Sequence, residues 1–163
     1  MSPMPPPIAE FWQAYVASTA GVDESRFYEA FYFADSEALA DSLAALVLSG
    51  TKRATASAFW TFEAQGRRAP VPGDLSVVTN WAGVPQCVIE TVAVDRVPFN
   101  QVSAEFAATE GEGDGSLTYW REAHEQFFQR ECALHGRAFT EDQLLACERF
   151  KVVYRSSPLK DPS

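Results

Sequence analysis

Apolar residues recur at helical spacing along some stretches of this chain and alternate with polar ones along others, and their order predicts a mixed fold. Between Ile8 and Thr19, Phe11, Trp12, Tyr15 and Val16 fall near the i, i+3, i+4 spacing of an amphipathic helix. Phe31 to Phe33 is a short aromatic run of strand character. Asp35 or Ser36 can cap a second helix, whose apolar stripe is Leu39, Leu43, Leu46 and Val47 and whose end is marked by Gly50. Thr55 to Gln65 reads as a short helix, and the turn Pro70-Val71-Pro72-Gly73-Asp74 leads into a strand from Leu75 to Thr79. After Ala82-Gly83 a longer strand runs from Gln86 to Val94, apolar on both faces except at Glu90.

Further along, Val102 to Ala108 fits a short helix, and Glu110 to Gly115 has the glycine and acid content of a mobile loop able to gate a site. Ser116 can cap a long helix through about Leu134, with Leu117, Trp120, Ala123 and Phe127 on its inner side and Gly136 beyond its end. A final strand is expected from Arg149 to Tyr154. Strands scattered among helices in this order predict an α+β fold built on a small, mostly antiparallel β-barrel with flanking helices. One domain over residues 8–156 is expected, with a loose tail over 1–7, where consecutive prolines predict no helix start, and a flexible tail over 157–163.

Composition narrows the functional classes. A chain of 163 residues with 47% hydrophobic and 21% charged residues can build one core and is not predominantly disordered. No stretch reaches the roughly 18–20 apolar residues that cross a bilayer, and the N-terminus does not read as a secretory signal. Cys87, Cys132 and Cys147 lie far apart without a CxxC pair, which predicts buried, reduced thiols and a cytoplasmic protein. A formal net charge of −9 argues against a clamp on long duplex DNA, whose affinity would come from neutralised phosphates. Lys52, Arg53, Arg67 and Arg68 nevertheless cluster, while acids crowd residues 105–125.

The chain has no GxSxG elbow, no GxxxxGK[ST] phosphate loop and no HExxH pair. His124 and His135 are poorly spaced for a shared metal, so neither a metal site nor a cofactor is predicted, and packing or surface roles are expected for both. Gly50-Thr51-Lys52-Arg53-Ala54-Thr55 sits where a helix ends, and Cys87-Val88-Ile89-Glu90-Thr91 follows in the long strand. Glu90 is costly to bury there, so it must face water or be held by donors. Lys52 beside Arg53, if desolvated, would have a lowered pKa and could serve as a base, with Thr55 as nucleophile and Glu90 as proton donor. The same residues also fit an ion pair between Lys52 and Glu90, with Thr55 capping the next helix.

The GxKxxT pattern at Gly50 to Thr55 resembles the ASCH family motif. The Cys87 to Thr91 strand resembles the segment carrying the catalytic glutamate in small amidohydrolases of that family. The segment Glu112 to His124 is similar to the longer branch, which includes a ribonuclease. The resemblance covers roughly Phe31 to Tyr154. It implies a PUA-like barrel whose cleft is lined by catalytic Lys52, Thr55 and Glu90, acting on a modified nucleoside such as N4-acylcytidine or on short single-stranded RNA. A base would need an aromatic wall, for which Trp60, Trp81, Tyr119 and Trp120 are candidates. Arg53, Ser116, Tyr119 and Arg121 are candidates for ribose or phosphate contacts. Core packing, helix capping and surface pairing are the alternative roles of these residues. The resemblance leaves three functions open: N4-acylcytidine amidohydrolase, ribonuclease with a possible divalent metal, or non-catalytic RNA or nucleotide binding.

Overall fold

The computed structural model describes residues 4–155. Its elements run α1 (Pro6–Ser18), β1 (Phe27–Phe31), α2 (Glu37–Leu48), β2 (Ala54–Ala58), α3 (Trp60–Ala64), β3 (Leu75–Thr79), β4 (Pro85–Pro98), α4 (Ala104–Glu110), α5 (Leu117–Leu134) and β5 (Leu144–Arg155). The fold is α+β, as the order of patterns predicts. One five-stranded sheet has the order β1-β3-β4-β5-β2, parallel only between β1 and β3.

The expected barrel does not close. β1 and β2, each five residues long, are the outer members of the strand order, and residues of both line one cavity. The long β4–β5 pair forms the middle of the sheet, paired from Cys87↔Arg155 to Pro98↔Leu144 with register shifts between Val88 and Ile89 and between Thr91 and Ala93. Helices cover the sheet in three packed groups. On one face α1 buries Trp12 and Tyr15 with Leu75, Val77 and Val88; on the other α2 packs Leu43 and Val47 near Val78, Ile89 and Phe150. Trp120 and Phe128 of α5 join Phe99, Ala58 and Leu145 in the third group. Each large apolar side chain buried in this way contributes about 1.5–3 kcal/mol, so these contacts fix the strand faces.

Several local expectations need correction. The helix α1 starts at Pro6, because Pro6 and Pro7 occupy the first turn, where an N–H would lack an intrahelical partner anyway. The tails predicted at 1–7 and 157–163 lie partly or wholly outside the described residues. Residues 54–58 form strand β2 rather than the start of a helix. The small alternating side chains of Ala54-Thr55-Ala56-Ser57-Ala58 carry little helix signal of their own, and pairing with β5 decides their state. The segment from Glu110 to Gly113 packs closely on its neighbours: a Cβ on Gly111 would meet the Thr51 carbonyl oxygen at 2.3 Å, and one on Gly113 would meet the Tyr119 ring at 2.5 Å. Finally, α5 buries Trp120, His124, Phe128 and Cys132, so the expected inner positions Ala123 and Phe127 are displaced by one residue.

Candidate functional site

Antiparallel pairing sets the site. Thr55 on β2 lies directly opposite Glu148 on β5, and in such a pair both side chains emerge on the same face. That face opens into a cavity of about 310 Å³ between β1 and β2, into which Lys52, Thr55, Glu29 and Glu148 all reach. Phe33, Phe62, Tyr119 and Phe127 supply apolar wall, and Arg67 and Arg130 are the arginines that line it. Arg67 is held by Glu29 at 2.8 Å and Arg130 by Asp35 at 2.9 Å.

Glu90 is elsewhere. Residues alternate across β4, so that Val88 packs under α1 while Cys87 and Ile89 pack under α2. The Glu90 carboxylate pairs with Arg26 at 3.1 Å and lies 4.0 Å from Lys151, and it does not line the cavity. The convergence of Lys52, Thr55 and Glu90 expected from sequence is therefore not formed. The next residue, Thr91, turns the other way, and its buried hydroxyl donates to Glu148 Oε2 at 2.6 Å.

Lys52 is 1% exposed and uses all three of its N–H groups. They donate to the Ala54 carbonyl at 2.8 Å, to Glu110 at 2.9 Å and to Glu112 at 2.8 Å. Burial alone would lower its pKa, but Glu110 and Glu112 reverse this and hold the amine above its ordinary value. The expected base at neutral pH is thus a fixed ammonium, since two carboxylates, rather than a neighbouring arginine, surround it.

The Glu110 carboxylate is the hub of this cluster. Burial favours its neutral form, yet Lys52 and then His124 hold it well below the usual carboxylate range. Trp120 donates its indole N–H to Glu110. His124 Nδ1 faces the Trp120 carbonyl at 2.9 Å, and its Nε2 faces Glu110 at 3.2 Å. Both ring nitrogens meet acceptors, which fits the doubly protonated imidazolium; burial lowers its pKa, but Glu110 outweighs that and the net direction is up. Glu110, Glu112 and His124 also present three metal-type ligand atoms within 4.8 Å of one another. The Lys52 ammonium already neutralises that group, and every Glu110 oxygen has a donor, so its chemistry is that of a closed salt-bridge cluster.

Glu148 differs from these. Burial raises its pKa to about 7; the Thr91 hydroxyl opposes the rise, and Glu29 and Asp74 add to it. A carboxyl that changes charge near neutrality, inside a cavity, is equipped to take up and release a proton. Burial likewise raises Glu29, with Arg67 opposing.

The other predicted contacts are dispersed. Tyr119 lines the cavity; Trp120 is buried in the core beside it. Trp60 packs against His135 and donates to Gln143, outside the cavity. Trp81 packs at a tilt against Tyr32, a cavity residue, with ring centres 4.7 Å apart. Ser116 caps α5 by accepting from the Tyr119 N–H at 3.0 Å. Arg53 and Arg121 are exposed and do not line the cavity.

The ASCH domain family model matches residues 29–154, which run from within β1 to within β5 and contain every group of the cavity. The chain belongs to the ASCH family. This family is related to RNA binding. This ASCH domain is similar to the crystal structure of an ASCH domain from Lactobacillus crispatus JV V101, at 43% identity and TM-score 0.88 over 95% of this chain and 99% of that one. It is also similar to protein EF3133 from Enterococcus faecalis V583, at 30% identity and TM-score 0.82 over 93% and 91% of the two chains. The hypothetical protein PH0355 shares the fold alone, at 12% identity and TM-score 0.51, over 77% of this chain and 96% of that one. A comparison with curated proteins finds no match.

Sequence reasoning missed Glu148, Glu110, Glu112 and His124 as members of the site. For Glu148 the signal was present: Leu145-Ala146-Cys147-Glu148 is a carboxylate in an apolar strand, the same feature that drew attention to Glu90. Sequence alone gave no means of choosing between the two strand faces.

Proposed function

We propose that this ASCH domain is a hydrolase that removes the acyl group from an N4-acylated cytosine nucleoside, with Glu148 as the proton-transferring group. The observation that carries the reading is a carboxyl poised near pH 7 opposite Thr55 in a cavity with aromatic walls. Ionised Glu148 takes a proton from a water held by the Thr55 hydroxyl, and the hydroxide oxygen forms a bond to the acyl carbon. The bond from that carbon to N4 then breaks as Glu148 returns its proton to the leaving nitrogen, which gives cytidine and a carboxylic acid that ionises by releasing its proton to solvent. Lys52 keeps Glu110 charged and holds both Glu110 and Glu112 in place, and so shapes the wall beside Tyr119.

The cavity chemistry lends the ribonuclease reading less support. Stabilising a phosphorane needs a free cation, whereas Lys52 is saturated and Arg67 and Arg130 are each engaged by a carboxylate.

Incubation of the purified protein with N4-acetylcytidine tests the reading. Cytidine and acetate should appear in equal amounts, at a rate that rises with pH through about 7 as Glu148 ionises. Glu148→Gln should slow release by about 10²-fold or more, while Glu90→Gln, on the far face, should stay within about twofold. The absence of acetate release by folded wild-type protein rejects the proposal and leaves a binding role.

A further inference from the structure

The edge of β2 that faces the cavity presents main-chain groups that the β2–β5 ladder does not use. Phe59 N–H donates to the Leu144 carbonyl and Phe150 N–H donates to the Arg53 carbonyl, which fixes the phase of the ladder between β2 and β5. The register from Ala54↔Arg149 to Ala58↔Leu145 has no bulge. In an antiparallel pair, hydrogen-bonded and non-hydrogen-bonded residues alternate. Thr55 and Ser57 therefore point their N–H and C=O groups at β5, with the Arg53 carbonyl and the Phe59 N–H at the two ends of the ladder, and Ala54, Ala56 and Ala58 point theirs away from it, toward the gap. Of those three gap-facing carbonyls, Ala54's accepts from Lys52 Nζ at 2.8 Å and Ala58's accepts from the Thr61 hydroxyl at 2.7 Å. Ala56 lines the cavity, and neither its N–H nor its C=O has a partner among the described residues.

We infer that the Ala56 N–H and C=O form a donor–acceptor pair that binds the ring-nitrogen and exocyclic-nitrogen edge of a single nucleobase. Such an edge offers an acceptor beside a donor, as cytosine does at N3 and N4, and it complements the main-chain pair in the plane of the sheet. With the carbonyls on either side occupied, the free donor–acceptor pair is limited to one residue. That is too little to pair with a peptide strand but matches one flat heterocycle, and the cavity of about 310 Å³ bounded by Phe33, Tyr119 and Phe127 is of the size and character that takes one. An edge read at Ala56 would lie beside Thr55 and the paired Glu148. The inference deepens the proposed function by naming how the base is held, and it rests on that reading only for the choice of cytosine.

Calorimetric titration of the full chain with a nucleoside series tests it. Cytidine and 5-methylcytidine should bind within about threefold of each other, because C5 lies off the recognised edge, while 3-methylcytidine, whose ring nitrogen is blocked, should bind at least about tenfold more weakly. In amide spectra the Ala56 N–H should exchange with solvent in the free protein and become protected with cytidine. Ala56→Pro removes a donor that no ladder bond uses, a substitution edge strands tolerate. It should weaken cytidine about tenfold and abolish the discrimination against 3-methylcytidine. Equal binding of cytidine and 3-methylcytidine by wild type overturns the inference, even if N4-acetylcytidine is hydrolysed. Lack of cytidine binding overturns it too. Edge-selective binding without acetate release upholds it and removes only the hydrolase reading.

Discussion

At the scale of single residues, the site is governed by how each charge is compensated. Lys52, Glu110, Glu112 and His124 compensate one another largely out of water, so removing Lys52 leaves two carboxylates facing one imidazole, a loss of about 3–5 kcal/mol. A loss of activity in Lys52→Ala would then report unfolding as readily as catalysis. Glu148 has a hydroxyl partner but no cation in contact, and its folded pKa of about 7 lies above the ordinary carboxylate value. Between those two values the folded protein binds more protons than the unfolded chain, so stability falls as pH rises through that window. Glu148→Gln removes this penalty. The variant should be more stable than wild type by on the order of 1–3 kcal/mol at pH 8, yet within about 0.5 kcal/mol at pH 5, in urea denaturation followed by tryptophan fluorescence. Higher stability together with lost turnover would mark Glu148 as a functional group held at an energetic cost.

At the scale of elements, strand parity and one glycine turn place the groups. In β4 the step from Glu90 to Thr91 moves a side chain from the α1 face to the cavity face; Thr91 pairs with Phe150 of β5, and its hydroxyl reaches Glu148 two residues away on that strand. The turn from α4 to α5 brings Glu110 and Glu112 onto Lys52 because Gly111, at φ 67°, lets the backbone lie against the Thr51 carbonyl. Gly115 also has positive φ, 76°, but a Cβ there meets nothing within 4 Å. Gly115→Ala carries only the left-handed backbone cost of about 1–2 kcal/mol. Gly111→Ala adds a backbone collision and should lower the melting temperature by at least about twice as much, with Lys52 losing contact with Glu112. A pair of melting curves checks this, and equal losses would mean that the turn yields without cost.

For the molecule as a whole, charge and sheet order act together. A net charge of −9, with Glu29, Glu110, Glu112, Glu131 and Glu148 lining one cavity, favours a neutral, hydrogen-bonding ligand over a polyanion. Binding that neutralises phosphates weakens steeply with salt, whereas binding through a base edge does not. Cytidine affinity should therefore change by less than about twofold between 50 mM and 500 mM salt, measured by the same titration. A steep decline would point instead to phosphate contacts at Arg67 or Arg130. The sheet supplies the space for such a ligand by leaving β1 and β2 unpaired with each other.

Much of this was legible in the chain. The periodic stripes of α1 and α2, the caps at Ser36 and Ser116, the alternation in β4 and the glycine stops specify local elements, because each depends on neighbours within one or two turns of chain. Lys52 and Thr55 were found because a short contiguous motif carries them. Tertiary structure alone decided which carboxylates meet them. Glu90 and Glu148 occupy similar apolar strands, and only strand register and the helices packed on each face send one toward Arg26 and the other into the cavity. The state of Lys52 was decided in the same way, by acids 58 and 60 residues away that its own sequence neighbourhood does not reveal. Local propensity reads the path of the backbone, whereas the protonation state of a group depends on charges that folding brings within a few ångströms.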